Sequence, residues 1–258
     1  MFEYPDSAGE GVDVYVLDSG IDVSHWQFGG RASHGADFTT EANNRDHAGH
    51  GTHVAGIISS EKYGVAKKAR LISVKVLDRN GVGDTAAFLK GIKYIVSKAR
   101  ESGRPSIVNI SLGKESEPWL QVLLRQVINS GIYIVMSSGN SRDDACKYLG
   151  ATEDVIMVGS LSNKLKESYF SNYGRCVDVM APGEEITSTW FFGTSTEMSG
   201  TSMAAPHASG ALALLLAENK FRNVKQGVQH LLKQAHSIDK KSVQNGSPNK
   251  LVFVGPDM

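Results

Sequence analysis

Three side chains of this sequence could together perform nucleophilic catalysis: those of Asp18, His50 and Ser202. A serine hydroxyl is a weak nucleophile at neutral pH unless a base removes its proton. An imidazole, whose free pKa is about 6.5, can accept that proton and later return it, and a carboxylate can hold the imidazole in the right tautomer. The spacing of the three residues proves nothing by itself, because such a triad is defined in space. The elements around each residue decide whether the three can meet.

Ser202 lies in a run of small residues, 198–207, that leads into the apolar segment 208–217. This pattern predicts a tight glycine-containing turn that opens a buried helix, with Ser202 at or near the helix start. The first N–H groups of a helix have no partner within the helix, and the helix dipole favours negative charge beside them. A nucleophile placed there is close to groups that could stabilise a charged intermediate. The alternative interpretation is an ordinary N-cap serine.

Asp18 and His50 also lie where predicted elements end or begin. Residues 11–17 form a β-rich run that ends at Asp18, and open α/β sheets keep their chemistry at the carboxyl ends of their strands. His50 opens a helical segment, residues 50–59, in which Ala55 and Gly56 permit close packing. Both residues can therefore lie at one edge of a sheet.

Strands and helices alternate along the chain, which predicts an α/β fold. We expect three layers, α/β/α, with a mostly parallel central sheet and the candidate nucleophile at the N-terminus of a buried helix. Residues 22–49 contain many turn residues, so we expect mostly loop there. No linker divides the chain, which predicts one domain over residues 1–258. The predicted strands are 11–17, 71–77, 107–112, 132–137, 155–158 and 177–180, and the predicted helices are 50–59, 84–101, 118–130, the segment from Ser202, and 224–235.

Composition argues against several classes of function. The 27 basic and 27 acidic residues cancel, so nothing indicates bulk binding of nucleic acid or of an anionic membrane. The longest apolar run, residues 211–217, is too short to span a bilayer. The first residues lack the basic and apolar regions of a signal peptide, so we expect neither a signal peptide nor a pro-segment in this sequence. Cys146 and Cys176 form no C-x-x-C pair; they are either unrelated thiols or one disulfide, which would imply an oxidising compartment.

Three motifs together resemble the active-site blocks of the subtilisin-like serine proteases. They are Asp-Ser-Gly at 18–20, His-Gly-Thr-His-Val-Ala-Gly at 50–56 and Gly-Thr-Ser-Met-Ala-Ala-Pro-His at 200–207, and they follow one another in that family's order. Residues 63–68, 74–78, 170–174 and 181–183 resemble the proteinase K branch in particular. The resemblance covers roughly residues 8–218. It implies a subtilisin-like fold and a serine endopeptidase that works through an acyl-enzyme.

The resemblance also assigns roles to individual residues. Asp18, His50 and Ser202 would form the catalytic triad. The side chain of Asn140 would join the N–H of Ser202 in binding the oxyanion of the tetrahedral intermediate. His53, one helical turn after His50, is given a structural role.

By the same resemblance, the substrate lies as an extended strand between two backbone edges, 81–83 and 111–113. The first pocket would be walled by residues 111–113 and 137–139, which include no charged residue, so a broad preference for apolar or aromatic side chains is implied. Serines stand at 137 and 138 where relatives have alanines, which would make this pocket more polar. Thr85 stands where relatives often carry a tyrosine, so Phe88 and Leu112 would shape the fourth pocket. The substrate-binding residues are Gly81, Val82, Gly83, Ser111, Leu112, Gly113, Ser137, Ser138 and Gly139.

Family context also bears on the cysteines and on metal binding. Some secreted and vacuolar relatives bridge the positions that match Cys146 and Cys176, which implies a disulfide here. Relatives of the proteinase K type bind calcium through an aspartate that matches Asp178 and through backbone carbonyls that match Glu153 and Val155. The resemblance therefore implies a structural calcium ion and no cofactor for catalysis.

The implied partners are polypeptide substrates and a removed pro-segment that acts as inhibitor and folding aid, with no nucleic acid and no membrane. We expect a monomer located outside the cell or in the secretory or vacuolar lumen.

The sequence is also open to three other interpretations. Residues 81–86 match G-x-G-x-x-A, with Glu101 downstream, which is a weak signal for dinucleotide binding. His47, His50 and His53 are spaced as zinc ligands on a helix would be, although no acid or cysteine completes the set. The third interpretation is a catalytically inactive relative that serves as a binding module.

Overall fold

The structure, a computed structural model, describes residues 3–113, 118–147, 154–244 and 246–255. Strands and helices alternate as the sequence predicts. The strands are β1 (Asp13–Asp18), β2 (Ala32–Asp37), β3 (Arg70–Lys75), β4 (Ser106–Ile110), β5 (Ile132–Ser137), β6 (Val155–Leu161), β7 (Val179–Pro182), β8 (Ile186–Thr189), β9 (Ser195–Met198), β10 (His236–Ser237) and β11 (Lys250–Leu251). The helices are α1 (His50–Ser59), α2 (Thr85–Ser102), α3 (Pro118–Asn129), α4 (Thr201–Glu218) and α5 (Val224–Gln234).

Nine of these strands form one sheet, in the order β10-β11-β7-β6-β5-β4-β1-β3-β2. All neighbours pair in parallel except β10 and β11. Strand β1 lies between β3 and β4, with Asp18 opposite Lys75 and Val16 opposite Asn109. Because carboxyl ends of parallel strands meet at one edge, the chain that follows β1, β3 and β4 gathers at a single place.

Helices cover both faces of the sheet, so the predicted three-layer α/β/α fold with a mostly parallel sheet is confirmed. Alternate residues of β1 show the two layers: Val14 and Val16 pack with α1, α4 and α5, whereas Tyr15 and Leu17 pack with α2 and α3. Helix α4 is buried along almost its whole length. Its continuous run of alanine and leucine fits a helix with no solvent face.

Residues 22–49 are mostly loop, as expected, but they include strand β2, which was not predicted. Its sequence, Ala-Ser-His-Gly-Ala-Asp, has no β-branched residue and no clear alternation. Pairing with β3 at the edge of the sheet supplies what local propensity does not. The antiparallel hairpin β8–β9 and the short strands β10 and β11 were also not predicted. Within the described ranges, no helix has the length and apolarity needed to cross a membrane.

Candidate active site

His50 and Asp18 are joined by a hydrogen bond. Nδ1 of His50 lies 2.8 Å from Oδ1 of Asp18, which is fully buried. A carboxylate can only accept, so Nδ1 carries the proton and Nε2 of the neutral imidazole keeps its lone pair. The N–H of Ser19 also donates to Oδ1 of Asp18, at 2.7 Å. His50 is therefore oriented to act as a base through Nε2.

The close approach of helix α1 to the end of strand β1 depends on Gly51. A Cβ atom at this position would lie 2.1 Å from the carbonyl oxygen of Gly20 and 3.2 Å from Cβ of Asp18. Any side chain here would push the helix away from the strand. The glycine that follows His50 thus allows its ring to reach the carboxylate.

Asp46, which sequence analysis did not single out, fixes the start of the same helix. Its carboxylate accepts hydrogen bonds from the N–H and hydroxyl of Thr52, at 2.8 and 2.6 Å, and from the hydroxyl of Ser19, at 2.8 Å. A carboxylate at a helix N-terminus is stabilised by the helix dipole. An acid four residues before a predicted helix was the only available signal for this role.

The charges around His50 favour its protonated form. Burial by itself would lower the pKa of His50, but the negative charge and hydrogen bond of Asp18, with a further contribution from Asp46, outweigh burial and raise this pKa above 6.5. The imidazolium that forms when His50 accepts a proton is therefore stabilised. This is the behaviour that a general base needs in the transition state.

Ser202 occupies the first turn of helix α4 and is bound to the end of strand β4. Its hydroxyl donates to the carbonyl of Ser111 at 3.1 Å, and the hydroxyl of Ser111 donates to the carbonyl of Ser202 at 3.1 Å. Among the hydrogen bonds of the described residues, none joins the Ser202 hydroxyl to His50. In this resting arrangement the hydroxyl must rotate before it can transfer its proton to an imidazole.

A row of buried polar side chains extends from the contact between Ser111 and Ser202 into the protein. The hydroxyl of Ser209, on helix α4, donates to Oδ1 of Asn109 at 2.8 Å, and Nδ2 of Asn109 donates to the hydroxyl of Ser111 at 2.9 Å. Asn109 and Ser209 are fully buried. Because buried polar groups are costly unless they are paired, this row fixes α4 against β4.

The side-chain amide of Asn140 is bound at the start of helix α4. Its oxygen accepts from the N–H and the hydroxyl of Thr201, at 2.9 and 2.8 Å, which orients the NH₂ group the other way. A Cβ atom at Gly200 would lie 3.4 Å from Nδ2 of Asn140 and 3.7 Å from the backbone nitrogen of Ser202. Two N–H donors therefore flank one small space, as an oxyanion site requires.

Both predicted substrate edges line one cleft with His50. The cleft has a volume of about 930 Å³, and Thr85 and Phe88 also contribute to its wall. Asp78 shapes the first edge, because its N–H donates to the carbonyl of Val82 and its carboxylate accepts from the N–H of Val82. The edge residues that the cleft brings together are Gly81, Val82, Gly83, Ser111, Leu112 and Gly113.

Residues 137–139 lie at the end of β5, beside the start of helix α4. The N–H of Gly139 donates to the hydroxyl of Thr201 at 3.1 Å. Ser138 is fully buried, and its hydroxyl donates to the carbonyl of Asn172 at 3.3 Å. The hydroxyl of Ser138 is therefore hydrogen-bonded inside the protein. This departs from our interpretation that Ser138 makes the pocket more polar.

The three histidines of the zinc interpretation do not converge. His47 is exposed, lies before the start of helix α1 and contacts Asn43. His53 is fully buried, and its Nε2 donates to the carbonyls of Ile186 and Thr196. In the part of the chain that the structure describes, no group of three or more His, Cys, Asp or Glu side chains could hold a metal ion. The structural role expected for His53 fits its position.

A charged network beside the site was also missed. The ammonium group of Lys75 is fully buried, donates to the carbonyls of Ser19 and Leu77, at 2.8 and 2.6 Å, and pairs with Glu41 at 3.1 Å. A hydrogen bond from Arg79, opposed by burial and helped by Lys75, lowers the pKa of Glu41 to about 2. Lys75 lies in a predicted strand and Glu41 is distant from it in the sequence, so the sequence alone does not indicate this pairing.

The structure contains a disulfide between Cys146 and Cys176, whose Cα atoms are 5.1 Å apart. Of the two interpretations open from the residues alone, a single bridge is therefore the one observed. The bridge connects the short turn that follows β5 to the segment that precedes β7 and closes a loop with a sequence separation of 30 residues.

Two of the three residues expected to bind calcium, Val155 and Asp178, lie within the described part of the chain. Glu153 lies outside the described residues, and Val155 is the first residue of β6. Oδ2 of Asp178 accepts from the N–H of Met157 at 2.8 Å, and burial raises the pKa of Asp178 to about 6. Its Oδ1 has no hydrogen bond among the described residues. A partly buried carboxylate with one free oxygen fits a hard cation, which prefers oxygen ligands.

A three-layer fold with Asp18 at the end of β1, His50 at the start of α1 and Ser202 in the first turn of α4 is the architecture of the subtilisin-like class. Residues 9–253 match the Subtilase family (peptidase S8), and the chain belongs to this family. The dinucleotide interpretation is therefore wrong for residues 81–86.

Relatives and a solved structure agree with this assignment. Alkaline serine exoprotease A of Vibrio alginolyticus is 41% identical over 247 residues, which cover 95% of this chain and 46% of that protein. Subtilisin-like protease 1 of Trichophyton rubrum is 42% identical over 219 residues, covering 84% of this chain and 44% of that protein. The chain thus spans about half the length of these relatives. The crystal structure of a cold adapted subtilisin-like serine proteinase is similar with a TM-score of 0.90 and 37% identity, covering 96% of this chain and 90% of that chain.

Proposed function

We propose that the protein is a serine endopeptidase that hydrolyses peptide bonds through an acyl-enzyme on Ser202, within a single peptidase domain over residues 1–258. The observation that carries the proposal is the hydrogen bond from His50 to buried Asp18, at the cleft that also contains the Ser111 edge bound to Ser202. Membership of the Subtilase family supports the same reaction.

The proposed reaction begins when the hydroxyl of Ser202 turns from the Ser111 carbonyl to Nε2 of His50. As the serine oxygen attacks the carbonyl carbon of the substrate, His50 takes the proton and Asp18 stabilises the imidazolium. The developing oxyanion is bound by Nδ2 of Asn140 and the N–H of Ser202. His50 then protonates the leaving amine, the C–N bond breaks, and an ester on Ser202 remains. Water, activated by the same imidazole, hydrolyses the ester.

The proposed substrate is an extended polypeptide that pairs with the backbone edges at 81–83 and 111–113. No charged side chain is expected to meet the residue before the scissile bond, so an apolar or aromatic residue is favoured there. Backbone pairing with few selective contacts predicts a broad specificity. The walls assigned to this first pocket are residues 111–113 and 137–139.

The test compares the parent with Ser202→Ala. The variant should abolish hydrolysis of a chromogenic peptide anilide and labelling by a sulfonyl fluoride, with the label of the parent mapped to Ser202 by mass spectrometry. Ser97→Ala, an exposed change on helix α2, is the matched control and should behave like the parent. An active Ser202→Ala variant, or a label at another residue, would contradict the proposal.

A catalytically inactive binding module is the second candidate. All three triad residues and the proposed oxyanion donor are present, and the pKa of His50 is raised in the direction that a base requires. These features favour an enzyme. An unlabelled, inactive but folded parent would favour the binding module.

A calcium ion at Asp178, with the carbonyls of Glu153 and Val155, completes the proposal. The ion would supply no catalytic chemistry; it would neutralise the carboxylate and fix the start of β6. The disulfide suggests an oxidising location, outside the cell or in the secretory or vacuolar lumen. A monomer and an inhibitory, separately removed pro-segment remain part of the same proposal. To test the proposed inhibition, the pro-segment would be synthesised and added to the protein, and the inhibition of peptide-anilide hydrolysis would be measured.

A further inference from the structure

A second groove adjoins the substrate cleft beside His50. It has a volume of about 730 Å³, and His47 lines both cavities. One wall of the second groove is formed by Trp26, Phe191 and Phe192, which we call the aromatic rim. Nothing in the proposed reaction so far uses this rim.

The rim is more exposed than packing alone would explain. Phe192 is 92% exposed and Trp26 is 63% exposed, although large apolar side chains are usually buried. The backbone of Phe192 has φ 58°, a left-handed conformation that favours glycine or asparagine and is unusual for a bulky residue. Neither the turn nor the core accounts for a phenyl ring at this position, which indicates a contact outside the protein.

Hydrogen bonds hold the rim in a fixed position. The indole N–H of Trp26 donates to the carbonyl of Gly193 at 3.2 Å, and the backbone N–H of Phe192 donates to the carboxylate of Asp22 at 3.2 Å. Nε2 of His25 donates to the carbonyl of Thr194 at 2.9 Å, while its Nδ1 accepts from a backbone N–H. A surface that is ordered in advance loses little entropy when a ligand binds.

The rim is mechanically continuous with the catalytic residues. Phe191 and Phe192 of the rim lie in the tip of the hairpin β8–β9, whose second strand leads through Gly200 into helix α4. Trp190, in the same tip, packs on Gly49, where a Cβ atom would lie 2.4 Å from its ring. The ring centroids of Trp190 and Phe191 are 4.5 Å apart. A row of aromatic rings therefore runs outward from the residue that precedes His50.

The direction of the reaction decides what the rim can contact. The two backbone edges, 81–83 and 111–113, lie in the first cleft and take the part of the substrate that becomes the acyl group. His50 must protonate the leaving amine, so the chain beyond the scissile bond passes His50 and leaves the first cleft. The second groove shares His47 with the first cleft, so it is the part of the surface where we place that path.

We propose that the aromatic rim is a subsite for an apolar or aromatic side chain on the leaving-group side of the substrate. This inference rests on the proposed endopeptidase function and adds a second determinant of specificity to it. Because side chains of an extended strand alternate, the first and third residues after the scissile bond point the same way and are the candidates to occupy the rim.

Quenched peptides that differ only after the scissile bond test this inference. One carries Phe and the other Ser at the first and third positions, and a peptide anilide without residues after the bond serves as reference. We expect the parent to cleave the Phe peptide about tenfold faster in kcat/KM than the Ser peptide. Phe192→Asn, which retains a left-handed turn, and Trp26→Gln, which retains an N–H donor, should reduce this ratio towards one.

Tyr169→Ser, which removes another exposed aromatic residue, is the matched control and should keep the ratio of the parent. The inference is overturned if an anilide-active parent has no preference, or if the rim variants lower kcat/KM for both peptides and the anilide equally. Binding to phosphatidylcholine–phosphatidylglycerol vesicles that Phe192→Asn abolishes, with the peptide ratio unchanged, would assign the rim to a membrane instead. A parent inactive on the anilide would overturn the endopeptidase function and this inference with it.

Discussion

Single atoms decide whether the site can work. One carboxylate oxygen of Asp18 orients the ring of His50, and the amide oxygen of Asn140 is bound to Thr201, so its NH₂ group faces away from Thr201. The sequence motifs predict which residues meet here. They do not predict Asp46 or Lys75, because their partners come from segments whose proximity exists only in the folded chain.

At this scale Asn140 offers the sharpest prediction. Asn140→Leu should lower kcat by about 10²- to 10³-fold with little change in KM, the range measured for the loss of such a donor in subtilisin. Asn140→Asp keeps an oxygen for Thr201 but loses the N–H donors, so it should be impaired while its thermal midpoint stays near that of the parent. Steady-state kinetics that leave more than half of kcat in Asn140→Leu would contradict the proposed role.

The pH profile should report the charges near His50. A general base works only when it is neutral, so kcat/KM should fall as pH decreases through the pKa of His50, which lies above 6.5. Asp46→Asn removes one of the negative charges that raise this pKa, so the acid limb should move to lower pH.

The midpoint of this limb does not depend on how much of the protein is active, which separates the charge effect from partial unfolding. Asp239→Asn removes a charge at the other edge of the sheet and serves as control. A limb that is unmoved in Asp46→Asn would show that Asp46 acts only as a helix cap.

At the scale of elements, the hairpin β8–β9 is bound to helix α1 rather than to the main sheet. His53 donates to the carbonyls of Ile186 and Thr196, and the hydroxyls of Ser188 and Thr189 donate to carbonyls of the helix, at 2.7 and 2.8 Å. Because the hairpin leads into helix α4, these contacts fix the position of Ser202 relative to His50.

His53 should make stability depend on pH. Burial lowers its pKa to about 4, whereas in the unfolded chain its pKa is near 6.5. Between these values the unfolded state binds a proton that the folded state does not, so stability is full above pH 6.5 and decreases by about 3 kcal/mol as pH falls to 4. Denaturant unfolding of His53→Gln, which keeps an N–H donor, should lack this part of the decrease. An identical pH dependence in the parent and in His53→Gln would refute this prediction.

Elements differed in how well the sequence revealed them. Helix α2 and strands β1, β4 and β5 were predicted because their apolar residues have the period or the continuous run of buried elements. Strand β2 and the hairpin β8–β9 were not, because short polar strands derive their stability from neighbours distant in the chain. The motif residues could be named in advance, but the aromatic rim could not, since Trp26 and Phe192 are far apart in sequence.

For the whole molecule, the disulfide is the covalent link between distant segments. In the chain-entropy model, a loop of this length contributes about 3–4 kcal/mol. The double variant Cys146→Ser/Cys176→Ser should lose about this free energy of unfolding, measured in urea, while it keeps activity at low temperature. Reduction of the parent should have the same effect. Equal stability of parent and double variant would mean that the bridge adds no constraint.

If calcium binds at Asp178, it should also change the stability of the whole molecule. The thermal midpoint of the parent should rise when calcium is added to chelator-treated protein, and magnesium should have a smaller effect because it demands a tighter geometry. Asp178→Asn removes the charged ligand and should remove the response. Asp239→Asn keeps all the proposed ligands and should respond as the parent does.

The hydrogen bond from the Ser202 hydroxyl to the Ser111 carbonyl also affects which compounds could be substrates. That oxygen lies on the edge where an extended peptide would donate one of its own amide hydrogens, so two donors compete for it. In the proposed mechanism, a bound peptide would displace the hydroxyl and free it to reach the imidazole. Small esters lack such an amide hydrogen and would not displace the Ser202 hydroxyl. The protein should therefore favour peptides over simple acyl compounds, whatever the side chains of the peptide.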